Sequence, residues 1–461
     1  MRYSLADAAR ATFGTTNAPD TVFNGVSTDS RNLKPGNLFV AIRGENFDGH
    51  DFIGQAMSAG AAAVVSERQV DAPHVLVDDC LKALGQLAAM HISALKAQVV
   101  GVTGSSGKTS TKDLLAQVLS TFGETIAPPG SFNNEIGLPN TVLSATTNTD
   151  FLVLEMGMRG RGHISYLCSI AQPRVAIILN VGSAHIELLG SADAIAEAKS
   201  EIIRGLPADG VAVLFADDSR VSNLRTVTSA QVLTFGESSE ADVRVLDLEL
   251  DESARPIVTY AYRGDECRVH LQLAGEHQAF NAAAVIAACL GLGLDFSKIC
   301  DALNTATNLS KWRMEVTQLQ NNITIINDAY NANPESMRAG LKALKAMSQG
   351  RRSWAVLGEM RELGEQSLSA HDELGRLCVR LDVNKLVAVG PVGKIIQMGA
   401  AQEGSWGDEA AHVETVDQAI EFLKTAVTPG DVIFIKASRA VGLERVASAL
   451  IEHFSRENAP S

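Results

Sequence analysis

The sequence predicts a multi-domain α/β protein, and three observations carry that prediction. The chain has 461 residues, more than one domain of about 100–200 residues, so two to four domains are expected. Hydrophobic residues make up 46% and charged residues 20%, enough to build a core in each domain. Continuous apolar runs at 151–155, 175–181 and 211–215 alternate with helical patterns, as parallel strands covered on both faces do. The 39 Lys and Arg against 53 Asp and Glu give a net charge of −14. Such an acidic chain is a poor match for a polyanion across a broad surface. With 5% aromatic residues it also lacks a stacking platform for single strands, so no nucleic-acid partner is expected. A small anion can still be held locally by backbone N–H groups and a few cations.

The elements follow in order. Residues 1–10 read as an amphipathic first helix, with Asp7 and Arg10 interrupting what a signal peptide would need as its apolar region. No run approaches the ~18 apolar residues that span a bilayer, so no membrane insertion is expected. Six cysteines without a CxxC pair read as reduced, mostly buried thiols of a cytoplasmic protein. Residues 1–95 hold short strands and turns, such as the turn Lys34-Pro-Gly36 before a strand at 37–42, with helical patterns at 52–63 and 80–95.

From 96 the pattern changes to a strand at 99–103, a Gly/Ser loop, a helix at 108–122 and a helix at 192–203. Alternating runs at 243–250, 256–262 and 268–273 predict an antiparallel edge or meander before an Ala-rich helix at 276–291. A third α/β block begins near 310, with strands at 323–327, 354–357, 386–389 and 432–435 and a helix at 334–347 opened by proline. The domains are therefore placed at 1–95, 96–310 and 311–461. The chain shows no internal repeat, and a monomer is expected.

Thr103-Gly-Ser-Ser-Gly-Lys-Thr-Ser110 lies between a predicted strand and a predicted helix. Gly104 and Gly107 let the backbone approach a ligand closely. The N–H groups of Ser105, Ser106 and the helix start can wrap phosphate oxygens. Lys108 supplies a point charge, and the Thr109 hydroxyl, followed by Ser110, suits a magnesium ligand. The plain alternative is a Gly-Ser loop with a chance Lys-Thr, which the order strand, loop, Gly-Lys-Thr, helix argues against.

Glu155 ends a predicted core strand beside that loop, where a carboxylate can hold magnesium; otherwise it is a solvated loop acid. His185 ends the next strand region, and a lone histidine there is a ligand or a structural group. Lys199, on a predicted helix, reads from spacing alone as a surface charge. Gln278 and Asn281 lie one turn apart and can face one ligand, such as an adenine edge, or merely satisfy a helix start. The dense polar loop Asn327-Asp-Ala-Tyr-Asn-Ala-Asn-Pro-Glu-Ser336 follows a strand and has the make-up of a binding loop. So does Gly358-Glu-Met-Arg-Glu-Leu-Gly364 with His371. Lys436-Ala-Ser-Arg439 sets two cations at a strand end, which favours an anionic carboxylate or phosphate.

Together these segments closely resemble the Mur ligase family of peptidoglycan synthesis over essentially the whole chain. Residues 103–109 match its shortened phosphate loop. Glu155, His185 and Lys199 match its metal ligands and its carbamylated lysine, and Arg313 in Trp312-Arg-Met-Glu315 matches an arginine that contacts ATP. The resemblance implies three domains: a small UDP-binding domain, a central mostly parallel P-loop ATPase domain and a C-terminal Rossmann-like domain.

Phe132-Asn-Asn-Glu-Ile-Gly-Leu-Pro139, residues 328–337 and residues 358–364 look most like the branch that adds D-alanyl-D-alanine to UDP-N-acetylmuramoyl-tripeptide. On that branch ATP activates the peptide carboxylate as an acyl phosphate. The expected cofactors are ATP and two Mg2+ ions. ATP contacts are implied at residues 104–110, Gln278, Asn281, Arg313 and Asp328, and metal contacts at Thr109, Glu155, His185 and Lys199. Substrate contacts are implied at Ser27, Ser30, Arg31, Gly44, Asp48, His50, Asn133, Asn134, Tyr330, Asn331, Asn333, Ser336, Lys436, Ser438 and Arg439. Catalytic roles fall to Lys108, His185, Lys199 and Arg313.

Two residues depart from the family pattern: Gln278 follows His277 where Asn is usual, and Ser131 replaces an Asn. The alternatives are a diamino-acid-adding or folylpolyglutamate-forming ligase of the same type, or a P-loop ATPase switch without ligase activity.

Overall fold

The computed structural model describes residues 1–182, 186–404 and 409–456. Three larger sheets divide these residues into lobes, and a two-stranded pair of Tyr3–Ser4 with Val22–Phe23 belongs to the first. The first lobe begins with the helix Leu5–Thr12, whose Ser4 and Asp7 form a reciprocal capping box and whose Leu5, Ala8, Ala9 and Thr12 are buried. Its five-stranded sheet runs in the order Thr15–Thr16, His74–Leu76, Ala63–Ser66, Leu38–Val40, Val26–Ser27. The helix Cys80–Ser93 packs against the helix Gly137–Leu143 of the central lobe. Leu5, Phe23, Leu38 and Leu84 belong to the same apolar core as Leu152 and Leu154 of the central sheet. Burial of this shared surface seats the first lobe on the second.

The central sheet has nine strands. From one edge they are Asp265–His270, Pro256–Tyr262, Val243–Leu250, Gln231–Gly236, Val211–Phe215, Val175–Ile178, Gln98–Thr103, Phe151–Glu155 and Thr125–Ile126. The six strands at the Thr125–Ile126 end pair in parallel with their neighbours. The expected meander is present as two antiparallel pairs at the other edge. Side chains alternate between faces: Val100, Val102 and Val153 enter one core, and Val99, Leu152 and Leu154 the other. That two-sided burial explains the continuous apolar runs in sequence.

The third lobe carries a six-stranded sheet, Glu315–Gln318, Thr324–Asn327, Val432–Lys436, Ser353–Leu357, Lys385–Val389, Ala410–Val413, antiparallel only at its first pair. Ile325 and Ile326 enter cores on opposite faces, so this sheet is also covered on both sides. Thr103, Glu155, Asn327 and Lys436 all stand at the carboxyl ends of parallel strands, the edge at which α/β sheets bind ligands. No helix among the described residues is long and apolar enough to cross a membrane.

Candidate active site

The carboxyl edges of the central and third sheets face one cavity of about 540 Å³. The central lobe contributes Ser105–Ser110, Ser131, Asn133, Asn134, Glu155, Gln278 and Asn281 to its wall. The third lobe contributes Arg313, Asp328, Tyr330, Asn331, Asn333, Ser336 and Lys436. Residues expected from sequence to bind one nucleotide thus meet across a lobe boundary.

The phosphate loop turns into the helix Lys108–Ser120 at Gly107, whose φ of +80° lies in the left-handed region. A Cβ there would sit 2.6 Å from Asn281 Oδ1, so glycine is needed both for the turn and for the approach. Lys108 Nζ donates to Gly104 O at 2.7 Å; burial lowers its pKa, and Glu155 opposes that shift. The amides of the loop are not all free to meet phosphate as expected. Asn180 Oδ1 accepts from Ser105 N and Ser106 N at 3.1 and 3.0 Å, which stiffens the loop from the neighbouring strand end. The first-turn N–H groups of Lys108, Thr109 and Ser110 have no intrahelical acceptor and remain the anion-facing set.

Thr109 and Glu155 are almost fully buried, yet both are polar. Thr109 Oγ1 lies 2.7 Å from Glu155 Oε2 and 2.7 Å from Ser131 Oγ, and Asn133 Nδ2 donates to Glu155 Oε1 at 2.7 Å. Adjacent oxygens around an octahedral magnesium ion at about 2.1 Å lie about 3 Å apart, so the spacing and the hard-oxygen chemistry fit that ion. Among the described residues no cluster of three His, Cys, Asp or Glu is found. A cation here would therefore complete its shell with phosphate and water oxygens, as magnesium does.

His185 lies outside the described residues. Lys199 corrects the reading from spacing: it is 1% exposed on the helix Ala192–Arg204, not a surface charge, because its helix face packs on the central sheet. Among the described residues it forms no hydrogen bond or ion pair. Burial, with the charge of Lys108 added, pushes its amine far below the ordinary lysine range. It stands behind the cavity wall rather than on it.

The third-lobe cations each have internal partners. Lys436 Nζ donates to Asp328 Oδ2 at 2.5 Å and to Asn331 O at 2.9 Å. Arg439 pairs with Glu444 at 2.8 Å, stacks on Trp312 at 4.0 Å and is absent from the cavity wall. Ser438 N donates to Glu359 O and Ser438 Oγ accepts from Arg361 N, which ties the segment after Lys436 to the loop at 358–364. Asn333 caps the helix Pro334–Ser348 by accepting from Ser336 N, and its Nδ2 reaches Ser105 O across the lobe boundary at 3.3 Å. Gln278 and Asn281 bond each other at 2.9 Å while both line the cavity.

The first-lobe candidates form a separate cluster. Ser27 Oγ and Arg31 bond to Asp29, Ser30 Oγ donates to Gln55, and Gly44 N donates to Phe47 O. Asp48 accepts from His50 Nδ1 at 2.6 Å, and His50 Nε2 accepts from Glu67 N. Thr28 Oγ1 accepts from Asn140 Nδ2 at 3.3 Å, which links this turn to the helix that follows Asn133 and Asn134.

Sequence reasoning missed Asn180, His277, Glu335 and Glu362 on the cavity wall. Asn180 carried a signal in its place just beyond a core strand, and Glu335 and Glu362 lay within the two polar loops already singled out at 327–336 and 358–364. Two buried wall atoms, His277 Nδ1 and Arg313 Nε, have no hydrogen-bond partner, as expected of groups awaiting a polar ligand.

Three family models cover most of the chain: "Mur ligase family, catalytic domain" at 22–92, "Mur ligase middle domain" at 102–289, and "Mur ligase, glutamate ligase domain" at 312–439. The UDP-N-acetylmuramoyl-tripeptide–D-alanyl-D-alanine ligase of Mycobacterium tuberculosis strain H37Rv is 43% identical over 92% of each chain. The enzyme of that name from Escherichia coli K12 is 34% identical over 94% of this chain and 95% of its own. A crystal structure of MurF from Acinetobacter baumannii superimposes with a TM-score of 0.90 at 32% identity, over 98% of this chain and 99% of that one. MurF ligase from Thermotoga maritima in complex with ADP gives 0.83 at 31% identity, over 94% and 98%. With this likeness running through all three lobes and the cavity they share, the chain belongs to the Mur ligase family.

Proposed function

We propose that the protein is an ATP-dependent, ADP-forming ligase of peptidoglycan precursor synthesis. It joins D-alanyl-D-alanine to UDP-N-acetylmuramoyl-tripeptide to give the UDP-linked pentapeptide, ADP and phosphate. The observation that carries this reading is the single cavity walled by Lys108, Thr109 and Glu155 from one lobe and Arg313 and Asp328 from another. The named activity of relatives up to 43% identical supports the substrates, and the ADP complex of the T. maritima enzyme supports the nucleotide.

A carboxylate is a poor acyl donor, so its oxygen first takes the terminal phosphoryl group of ATP; the dipeptide amine then attacks the acyl carbon and phosphate leaves. Neither step needs a protein nucleophile. Phosphoryl transfer depends on positioning and charge neutralisation, which Lys108 and Arg313 supply from the two lobes. Magnesium, when bound, would supply further positive charge against the developing phosphoryl charge. Thr109 and Glu155 would hold one ion, and His185 with a carbamylated Lys199 would hold the second. Lys199 is suited to carbamylation because desolvation disfavours its protonated form. Its nitrogen adds to CO2, a proton leaves, and a would-be cation becomes an anionic oxygen ligand.

Residues 1–95 hold the UDP end of the substrate, 96–310 the nucleotide, and 311–461 the dipeptide. Asn133 and Asn134 face the peptide from the central wall, and Tyr330, Asn331, Asn333 and Ser336 face the dipeptide from the third lobe. Closure of the third lobe excludes water that would hydrolyse the acyl phosphate. The reaction belongs to the cytoplasm, and the protein acts as a monomer. Phosphate release from ATP with UDP-N-acetylmuramoyl-tripeptide, with and without D-alanyl-D-alanine, tests the reading. Release that needs both is expected and is abolished in Lys108→Ala. Release indifferent to the dipeptide would instead identify a switch, and release driven by a free diamino acid a different ligase.

A further inference from the structure

One side chain at the centre of the cavity has no part in the scheme above. Ser131 Oγ lies 2.7 Å from Thr109 Oγ1 and accepts from Arg313 Nη2 at 2.8 Å. Thr109 Oγ1 in turn donates to Glu155 Oε2 at 2.7 Å. The ends of this row fix its direction. A guanidinium only donates and a carboxylate only accepts, so each hydroxyl between them must accept on one side and donate on the other. The row therefore runs from Arg313 through Ser131 and Thr109 to Glu155. The second Glu155 oxygen is already held by Asn133 at 2.7 Å.

Arg313 comes from the other lobe, 182 residues away in sequence. Its backbone neighbours are strained: Trp312 and Met314 have φ of +60° and +50°, conformations that non-glycine residues rarely adopt. They are held there by Tyr330 N donating to Trp312 O at 3.1 Å and Met314 N donating to Asp328 Oδ1 at 3.0 Å. Among the described residues, the Ser131 contact is the hydrogen bond that ties the Arg313 guanidinium to the central lobe, while Asn308 Nδ2 holds its backbone carbonyl at 2.6 Å.

We propose that Ser131 is the positioning residue that couples Arg313 of the third lobe to the Thr109–Glu155 pair, so that cation engagement and the seating of Arg313 on the nucleotide are one linked event. This rests on the reading of Thr109 and Glu155 as cation ligands. When Glu155 ceases to accept from Thr109, the Thr109 hydrogen must turn to Ser131. A serine oxygen has two lone pairs and accepts from Thr109 and Arg313 together. Its own O–H is then released towards the cavity, where it and Arg313 form a paired donor set for a phosphate oxygen.

The test is a double-mutant cycle on ADP binding, measured by calorimetry with magnesium and again in chelator, using the full chain. With magnesium, Ser131→Ala and Arg313→Ala are each expected to weaken binding about tenfold, the scale of a hydrogen bond to a charged group. The double variant should be no more than about twofold weaker than Arg313→Ala, because both act through one link. In chelator Ser131→Ala should bind as the parent does, and Ser131→Thr, which keeps the hydroxyl, should restore the magnesium response. Losses that multiply in full, or an unchanged Ser131→Ala, overturn the coupling. If Thr109→Ala and Glu155→Gln leave the magnesium response intact, the cation-site reading itself has failed and the coupling falls with it. Thermal melting of each variant separates these outcomes from misfolding.

Discussion

Two buried lysines, one in the central lobe and one in the third, show how position decides what a side chain is for. Lys199 and Lys436 are 1% and 3% exposed. Burial lowers both amines, but the opposing interactions differ. Lys436 has Asp328 at 2.5 Å and two carbonyl acceptors, so it serves as a tie beneath the polar loop at 327–336. Lys199 has no acid among the described residues, and the charge that acts on it is another lysine, Lys108. Burial without an acid among the described residues disfavours the ammonium form, so the balance tips towards the free amine. The contrast separates a cation tied to an acid from a buried amine that has none among the described residues, without reference to sequence neighbours.

The most severe way to probe that contrast is to remove the buried amine. Lys199→Ala is expected to lower turnover on the order of 10³-fold, the scale of losing a preorganised electrostatic partner. Added short carboxylic acids should restore part of the rate by replacing the lost oxygen ligand. The parent grown with 13C-labelled bicarbonate should show a carbamate carbon that the variant lacks. Full activity in the unrescued variant would put Lys199 in the same class as Lys436.

Stability gives the second measure. Lys436→Met leaves Asp328 partly buried without its partner and should cost about 3 kcal/mol, the scale of breaking a buried pair. Lys199→Met swaps an unpartnered amine for an apolar chain of similar size and should leave the melting temperature unchanged or higher. Denaturant unfolding of the two variants side by side checks this, and equal losses would erase the distinction.

Neither lysine could be sorted from spacing, only the family resemblance setting Lys199 apart, and the reason is general to this chain. Strands at Phe151–Glu155, Val211–Phe215, Val243–Leu250 and Pro256–Tyr262 fall where their apolar patterns predicted, because burial on one or both faces writes itself into successive residues. The run expected at 268–273 instead forms Asp265–His270. The two-residue turn at Arg263 and Gly264, with φ of +52° and +94°, pairs Tyr262 directly with Asp265 and fixes the register. Thr125–Ile126 and Glu315–Gln318 left no apolar signal because they are edge strands. The phosphate loop was legible because its ligating groups are consecutive. Asn180 on Ser105, or Arg313 on Ser131, joins residues 75 and 182 positions apart, and no local pattern records such a pair.

The mildest expected effect concerns a buried base that, unlike Lys199, has partners for both of its nitrogens. His371 is fully buried; its Nε2 accepts from Met360 N at 2.8 Å and its Nδ1 donates to Ser367 O at 2.6 Å. These partners fix one neutral tautomer, and a second proton would set two N–H groups against each other at Met360. Burial lowers the pKa, with the Ser367 carbonyl and the Glu359 carboxylate opposing. A histidine depressed in the folded state is protonated first in the unfolded chain, whose pKa is about 6.5. Its contribution is present above that pH and is lost as pH falls below it. His371→Ala leaves the Met360 N–H without an acceptor and should cost about 1–2 kcal/mol at pH 7.5. The gap to the parent should narrow as the pH is lowered below 6.5, because the parent alone loses the histidine's contribution. A gap that stays constant or widens on acidification would mean that His371 is held by packing rather than by its neutral hydrogen-bond pair, and the loop at 358–364 would then owe its position to its ties to Lys436 and Ser438.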